Sequence, residues 1–277
     1  TISATNLEIA ITEHIGAKVT HEGAITLPAK LLQEFISSLP SGTIDIETNE
    51  HKCTISSGNY NSVINGMIAD EFPVVPKIEK GTDLKINSKE LKKALQQVII
   101  AASSDDTRPV LTGVFMHVHQ GGLYFVSTDS YRLAEKRVMD CDESVSIIVP
   151  SSALSDVLRI IGDQDEEMTI STDNQQVVFK ISESELVSRL IDGNYPDYRK
   201  LIPSSFQNVA ELPKDEFVNV TKVSSLFARE SAGSITLKVD EVGKQLTITS
   251  VASQLGENTS SVQGSVSGEG DVTVNSR

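Results

Sequence analysis

Cysteine is nearly absent from this chain of 277 residues, and the two that occur, Cys53 and Cys141, are too few and too far apart for a disulfide framework. Neither sits in a C-x-x-C pair, so both are expected to be reduced structural thiols. Long apolar runs are missing as well, since none approaches the roughly 18 residues that a membrane span requires. No charged, apolar and small-residue leader opens the chain, and the expected compartment is the cytoplasm. Basic charge is scarce: 24 Lys and Arg face 38 Asp and Glu, for a net charge of −14. That balance excludes a generic nucleic-acid coat and requires any DNA contact to come from a locally basic surface on an acidic body. Catalytic signatures are lacking too, with no G-x-S-x-G, Walker loop or H-E-x-x-H. His117 and His119 lie two apart on one predicted strand, a spacing that could ligate metal, but no third ligand stands beside them and an exposed strand face is the expected reading. Asp105 and Asp106 fall in a polar turn after a helix, and the acidic run from Asp163 to Glu167 is expected to solvate a loop. Catalytic residues, metal and cofactor are therefore all expected to be none.

What is present is enough apolar content, 39%, for a real core in a soluble chain longer than one ordinary domain. The strongest internal signal is a repeat. ITLPAKLLQEFISSLPSGTIDIETNEHKCTI, from Ile25, aligns with IIVPSSALSDVLRIIGDQDEEMTISTDNQQVVF, from Ile147. MIADEFPVVPKI, from Met67, then matches LIDGNYPDYRKLI, from Leu190. LPKDEFVNVTKVSSLFARES, from Leu212, echoes INSKELKKALQQVIIAASSD, from Ile86, and the closing DVTVNSR echoes VSIIVPSS. The chain thus reads as the back half of one unit, one whole unit and the front half of a third, and the complete protein is expected to be longer at each end.

Within a unit the pattern is mostly strand. GVFMHVHQ, GLYFVSTD, MTISTD, VVFKIS, SITLKV and QLTITSV alternate and are separated by turns such as QGG and TDN. Helical periodicity predicts Asn87 to Ala102 with Leu91, Ala94, Leu95, Val98 and Ala102 on one arc and Lys89, Lys92, Lys93 and Gln96 opposite. The same wheel recurs after Pro28, with Leu32, Phe35, Ile36 and Leu39 inward, and after Pro150, with Leu154, Val157, Leu158 and Ile161 inward. One-faced helices must bury their apolar arcs on their own sheets, which leaves the polar arcs on one side. Units repeated head to tail, with edge strands pairing across the joints, form an arc whose exposed ends invite closure by another copy. The lysines of the first helix form a basic stripe. Lys214, Lys222 and Arg229 fall within about 80° of one another if Lys214 to Arg229 is a single helix.

Two stretches carry specific chemistry. LIDGNYPDYRKLIP, Leu190 to Pro203, passes through a Gly193-Asn194 turn into a segment bracketed by Pro196 and Pro203, expected to present Tyr198, Arg199 and Lys200 on a stiffened loop. STDSYRLA, Ser127 to Ala134, comes after the strand GLYFV and carries Asp129, Tyr131 and Arg132 at its turn. Together they resemble the bacterial DNA polymerase III β subunit family, the sliding clamps, with weaker matches over the whole chain.

That resemblance implies an α+β fold of tandem DNA-clamp domains, each with two helices packed on antiparallel sheets, arranged head to tail toward a ring. The parts would be 1–81 from a first domain, a complete second domain at 82–203, and 204–277 from a third. It implies a sliding clamp, a non-catalytic subunit of the DNA polymerase III holoenzyme, that encircles double-stranded DNA without sequence preference and forms a homodimer ring. Its partners would be the polymerase catalytic subunit, the clamp loader and other replication and repair proteins carrying short hydrophobic peptides. The peptide pocket would comprise Leu111, Thr128, Asp129, Tyr131, Arg132, Leu133, Pro196, Lys200, Leu201 and Asn275. DNA contacts would come from Lys89, Lys92, Lys93, Arg108, Lys214, Lys222 and Arg229, and Leu226 and Phe227 would lie at the dimer joint. Two rival classes are a peptide-binding scaffold that never encircles DNA and an enzyme using Asp129, Tyr131, Arg132 and Tyr198 as a polar cluster.

Overall fold

The computed structural model describes residues 1–78, 80–163, 165–252, 254 and 256–276. Gln164 of the acidic run and Arg277 of the closing repeat segment lie outside the described residues. Two compact units divide the chain, Thr1–Pro196 and Asp197–Arg277.

The first unit opens with β1 (Ile2–Thr5), β2 (Ile9–Glu13), β3 (Ile25–Thr26), α1 (Ala29–Ser38), β4 (Asp45–Asn49), β5 (Lys52–Ser57), β6 (Tyr60–Asn65) and β7 (Met67–Ile68). It continues through β8 (Thr82–Asn87), α2 (Ser88–Val98), β9 (Gly113–His119), β10 (Gly122–Thr128), β11 (Leu133–Asp140) and β12 (Ser146–Pro150). It closes with α3 (Ser151–Ile160), β13 (Glu167–Thr172), β14 (Gln176–Ile181) and β15 (Ser184–Arg189). Four antiparallel groups result, ordered β1-β2-β15-β14-β13-β8, β11-β10-β9-β12, β4-β5-β6 and β3-β7. The six-stranded sheet joins sequence-distant parts: Ile9 to Glu13 pair with Ser188 to Ser184, so the opening strands extend the sheet of the middle of the chain.

The predicted helix wheels account for the core. Asn87 caps α2 by accepting from the N–H groups of Lys89 (3.0 Å) and Glu90 (3.4 Å), satisfying donors that a helix start leaves orphaned. Leu91, Ala94, Leu95 and Val98 are then buried with Ala153, Leu154 and Val157 of α3, between Val114, Met116, Leu123 and Phe125 of one sheet and Met168, Ile170, Phe179 and Leu186 of the other. Helix α2 ends at Val98 and tightens into a 3₁₀ turn, Ile99–Ala101, short of the Ala102 that the periodicity predicts. Proline stands at the N-cap of α1, of α3 and of α4 (Lys214–Phe227, in the second unit), where its fixed φ suits an incoming extended chain. The turn between β9 and β10 has positive φ at both Gln120 and Gly121, as a two-residue hairpin of matching twist demands. Helix α1 has no fully buried residue, and Leu32, Phe35 and Ile36 rest half-buried on the small core of Cys53, Ile55 and Ile64. Both thiols are free and buried, and burial pushes that of Cys53 up.

The second unit holds β16 (Val209–Glu211), α4 (Lys214–Phe227), β17 (Ser234–Asp240), β18 (Gln245–Ala252), β19 (Gly256–Gln263), β20 (Ser265–Ser267) and β21 (Gly270–Asn275). Its main sheet runs β19-β18-β17-β21, with β16 and β20 forming a separate pair. Phe217 and Val220 of α4 pack on Ala228, Ile235 and Ile248. The condition that Lys214 to Arg229 form a single helix is not met: α4 stops at Phe227, Arg229 belongs to a 3₁₀ turn, and Ala232 beyond it takes a left-handed φ of 53°. Arg229 therefore leaves the wheel shared by Lys214 and Lys222. Among the described residues, no helix is long and apolar enough to cross a membrane.

Candidate partner-binding and DNA-facing sites

In the first unit, the turn after β10 is held by its own side chains. Asp129 Oδ1 accepts from the N–H groups of Tyr131 (2.9 Å) and Arg132 (3.0 Å), while its Oδ2 meets Arg132 Nε at 3.0 Å. Thr128 Oγ1 donates to the Arg132 carbonyl at 2.6 Å and accepts from Ser130 N–H at 3.1 Å. These bonds hold Ser130 at a φ of 79°, a conformation that costs a non-glycine residue energy and persists only where its surroundings fix it. Burial alone would raise the Asp129 carboxyl, but the two N–H donors and the Arg132 guanidinium outweigh it and hold the group below the usual carboxylate range. A turn closed in this way leaves its apolar neighbours open to solvent: Tyr131 is 96% exposed and Leu133 37%.

Arg108 reaches this turn. Its Nε lies 3.0 Å from Asp105 Oδ2, and its Nη1 donates to Ser130 Oγ at 2.9 Å. Asp105 also accepts from Thr107, so it closes a turn as its position after a helix suggests. Leu111, in the next 3₁₀ turn, is buried, and its carbonyl accepts from Ser103 N–H at 2.9 Å.

The first half of the Pro-bracketed segment is pinned to the outer face of the four-stranded sheet. Ile191 N–H donates to the Ile148 carbonyl at 2.9 Å. Gly193 has a φ of 137°, and a Cβ there would stand 2.6 Å from Val110 Cγ1, so glycine is required twice over. Tyr195 stacks on Phe115 with centroids 4.9 Å apart, Phe115 on His117 at 4.5 Å, and His117 approaches Tyr124 at 5.8 Å. Burial pushes the Tyr195 phenol up to about 12. The expectation of an exposed strand face for His117 and His119 is thereby corrected, because both imidazoles are half-buried and belong to an aromatic ladder. Pro196, which ends the unit, is exposed.

In the second unit, Tyr198–Leu201 is a 3₁₀ turn. Tyr198 is 3% exposed, which corrects the expectation that it is presented on the surface, and the Arg199 guanidinium lies 5.3 Å from its ring centroid. Lys200 Nζ is 2.8 Å from Asp197 Oδ2, and Leu201 is 75% exposed. Asn275 ends β21 opposite Ser234 and donates to the Ala232 carbonyl at 3.0 Å. Leu226 is exposed and Phe227 half-buried at the end of α4. Lys214, Lys222 and Arg229 are exposed and have no ion-pair partner among the described residues.

The α2 stripe is less open than its wheel suggests. Lys89 pairs with Asp165 at 3.1 Å and Lys92 with Asp163 at 2.8 Å. The acidic run, expected only to solvate its loop, therefore faces the lysines, and no local pattern could reveal a pairing across so much sequence. Among the described residues no group of three or more metal-ligating side chains occurs. A cavity of about 760 Å³ in the first unit, lined by Glu8, Ser103, Thr112, Ser151, Arg189 and Ile191 among others, includes none of the residues expected to bind peptide.

Known proteins agree with this geometry over nearly the whole chain. Residues 1–76 match the N-terminal domain, and residues 85–197 the central domain, of the DNA polymerase III beta subunit. The beta sliding clamp of Synechococcus elongatus is 32% identical over 275 residues, covering 97% of this chain and 73% of that protein. The chain belongs to the beta sliding clamp family. The clamp family is that of a non-catalytic processivity subunit, and its fold is the α+β clamp fold of helices on antiparallel sheets. The DNA polymerase sliding clamp of Bacillus subtilis superposes with a TM-score of 0.91 at 30% identity, over 99% of this chain and 76% of that one. The beta subunit of Thermotoga maritima, at 24% identity and a TM-score of 0.87, shares the clamp fold over 99% of this chain and 75% of its own.

Proposed function

We propose that this clamp-family protein encircles duplex DNA as a homodimeric ring built from parts at 1–81, 82–203 and 204–277, and tethers replication partners through an apolar pocket. The observation that carries the reading is the pairing of two motifs: the self-locked Asp129 turn, which holds Tyr131 and Leu133 toward solvent, and the segment that the Tyr195 stack pins to the neighbouring sheet. In this reading Leu111, Leu133, Pro196 and Leu201 give a partner peptide's apolar side chains a dry surface. Thr128, Asp129, Tyr131, Arg132, Lys200 and Asn275 orient its backbone and flanks. The occupants are short hydrophobic peptides of the polymerase III catalytic subunit, the clamp loader and repair proteins.

Lys89, Lys92, Lys93, Arg108, Lys214, Lys222 and Arg229 supply phosphate contacts, which carry no sequence information and weaken with salt. Leu226 and Phe227 contribute to the joint between subunits. A topological link replaces a tight contact, so the protein stays on DNA while moving, and a modest peptide affinity becomes long retention of the polymerase through high effective concentration. The cytoplasm is the compartment where this work would be done.

The intact protein loaded on circular DNA is expected to remain bound and to leave once that DNA is linearised; equal retention on both overturns encirclement. Leu133→Ala is expected to weaken a polymerase-derived peptide about tenfold with dimerisation intact, the loss of one partly buried leucine contact. Leu201→Asp is expected to weaken it further, and unchanged affinity in both removes the pocket. A peptide-binding scaffold that never encircles DNA is the second reading, favoured by the internal pairing of Lys89 and Lys92. It predicts that charge reversal of Lys89, Lys92 and Lys93 leaves DNA association unchanged.

A further inference from the structure

The three lysines of α2 are not equivalent. Lys92 Nζ is 2.8 Å from Asp163 Oδ1 and 3.4 Å from the Gly162 carbonyl, and Lys89 Nζ is 3.1 Å from Asp165 Oδ2. Lys85, on the strand leading into the helix, meets Glu167 Oε1 at 2.9 Å. Lys93 has no ion-pair partner among the described residues. The acidic segment is fastened to the start of the helix: Ser88 N–H donates to the Glu166 carbonyl at 2.9 Å, Glu166 N–H donates to Ser88 Oγ at 3.1 Å, and Asn87 Nδ2 donates to Asp165. Ser88 is fully buried, so this fastening belongs to the packed structure rather than to a loose surface encounter.

A carboxylate oxygen at these distances occupies the place on each ammonium that a phosphate oxygen of DNA would take. We infer that Asp163 and Asp165 are built-in stand-ins for backbone phosphates, which hold Lys89 and Lys92 in exchange with the duplex and so set how firmly α2 grips it. The inference rests on the proposed reading that α2 faces DNA. Its basis is the chemistry of exchange. Exposed ion pairs are individually weak: both partners of the Lys89–Asp165 pair are more than half exposed, and Asp163 is fully exposed beside a Lys92 that is 30% exposed, so a phosphate can displace either carboxylate without disturbing the fold. When a lysine trades an aspartate for a phosphate, the cation released from DNA is balanced by one taken up at the aspartate. Net counterion release is then smaller, and both the affinity and its salt dependence fall below what the lysines alone would give. A self-satisfied lysine face holds DNA loosely, which is what a protein that must slide requires.

The test is a mutant cycle in the intact protein, read by fluorescence anisotropy with a short labelled linear duplex across a salt series. Asp163→Asn with Asp165→Asn is expected to tighten binding roughly two- to five-fold per pair and to steepen the salt dependence. Lys89→Ala with Lys92→Ala is expected to weaken binding, and adding the aspartate changes to that lysine variant is expected to do nothing more. An equal gain from the aspartate changes in the absence of the lysines shows a generic effect of net charge and overturns the inference. So does no gain in their presence, while weakening by the lysine changes alone leaves the DNA-facing reading standing. No effect of the lysine changes overturns both.

Discussion

Asp129 shows how one carboxylate sets a surface. Its two oxygens take up the donors of Tyr131 and Arg132, so the adjoining side chains project outward instead of folding back. Its folded pKa lies below the unfolded value, so this stabilisation is complete above the ordinary carboxylate range and is lost as pH falls through the depressed value. In the proposed reading of this turn as part of a peptide pocket, peptide affinity is expected to hold near neutrality and to decline on acidification below the ordinary carboxylate range, with Asp129→Asn weaker at neutral pH and flatter in its pH profile. A titration of peptide binding against pH checks this, and an unaltered profile in the variant removes the assignment. Gly193 is the other residue with no substitute. Its φ and the 2.6 Å approach to Val110 predict that Gly193→Ala costs at least about 1 kcal/mol in urea unfolding. That the Asp129 turn and Gly193 matter was legible in the motifs themselves, because Asx turns and positive φ are local chemistry. The approach of Tyr124 and Tyr195 to the Phe115–His117 pair was not, since those two rings arrive from other segments of the chain.

At the scale of elements, the helices obey their wheels because a 3.6-residue period leaves one arc for the core. In α2, Leu91 and Leu95 are fully buried among residues of both sheets, so Leu95→Ala is expected to cost about 2–5 kcal/mol, the transfer loss plus the cavity left behind. Asn87→Ala removes the acceptor of two helix-start donors and is expected to cost about 1 kcal/mol, with chemical denaturation of the variants as the measurement. Periodicity places the lysines of α2 correctly on the outer arc. It is blind to what stands opposite them, because Asp163 and Asp165 arrive from the loop between α3 and β13. The end of α4 is hidden from the wheel for a related reason. The pattern continues past Phe227, but the chain there tightens into a 3₁₀ turn and then takes the left-handed conformation at Ala232.

At the scale of the molecule, each unit buries its own apolar faces, and within the first unit a sheet carries over from one repeat to the next. The pairing of β2 with β15 gives the edge of the central sheet a partner, which an unpaired row of backbone donors and acceptors otherwise lacks. Removing residues 1–13 is expected to expose β15, lower the thermal midpoint and promote aggregation; hydrogen exchange of the β15 amides would rise, and unchanged protection would show that the pairing contributes nothing.

The amino-acid sequence by itself determined the repeat, the faces of the helices, the hairpin turns and the two motifs, because each arises from spacing and backbone preference within a few residues. Tertiary structure alone decided which carboxylates meet the α2 lysines, which aromatic rings pin Tyr195, and which strand completes the central sheet. Those choices depend on burial and charge between segments far apart in the chain, where no local period reaches.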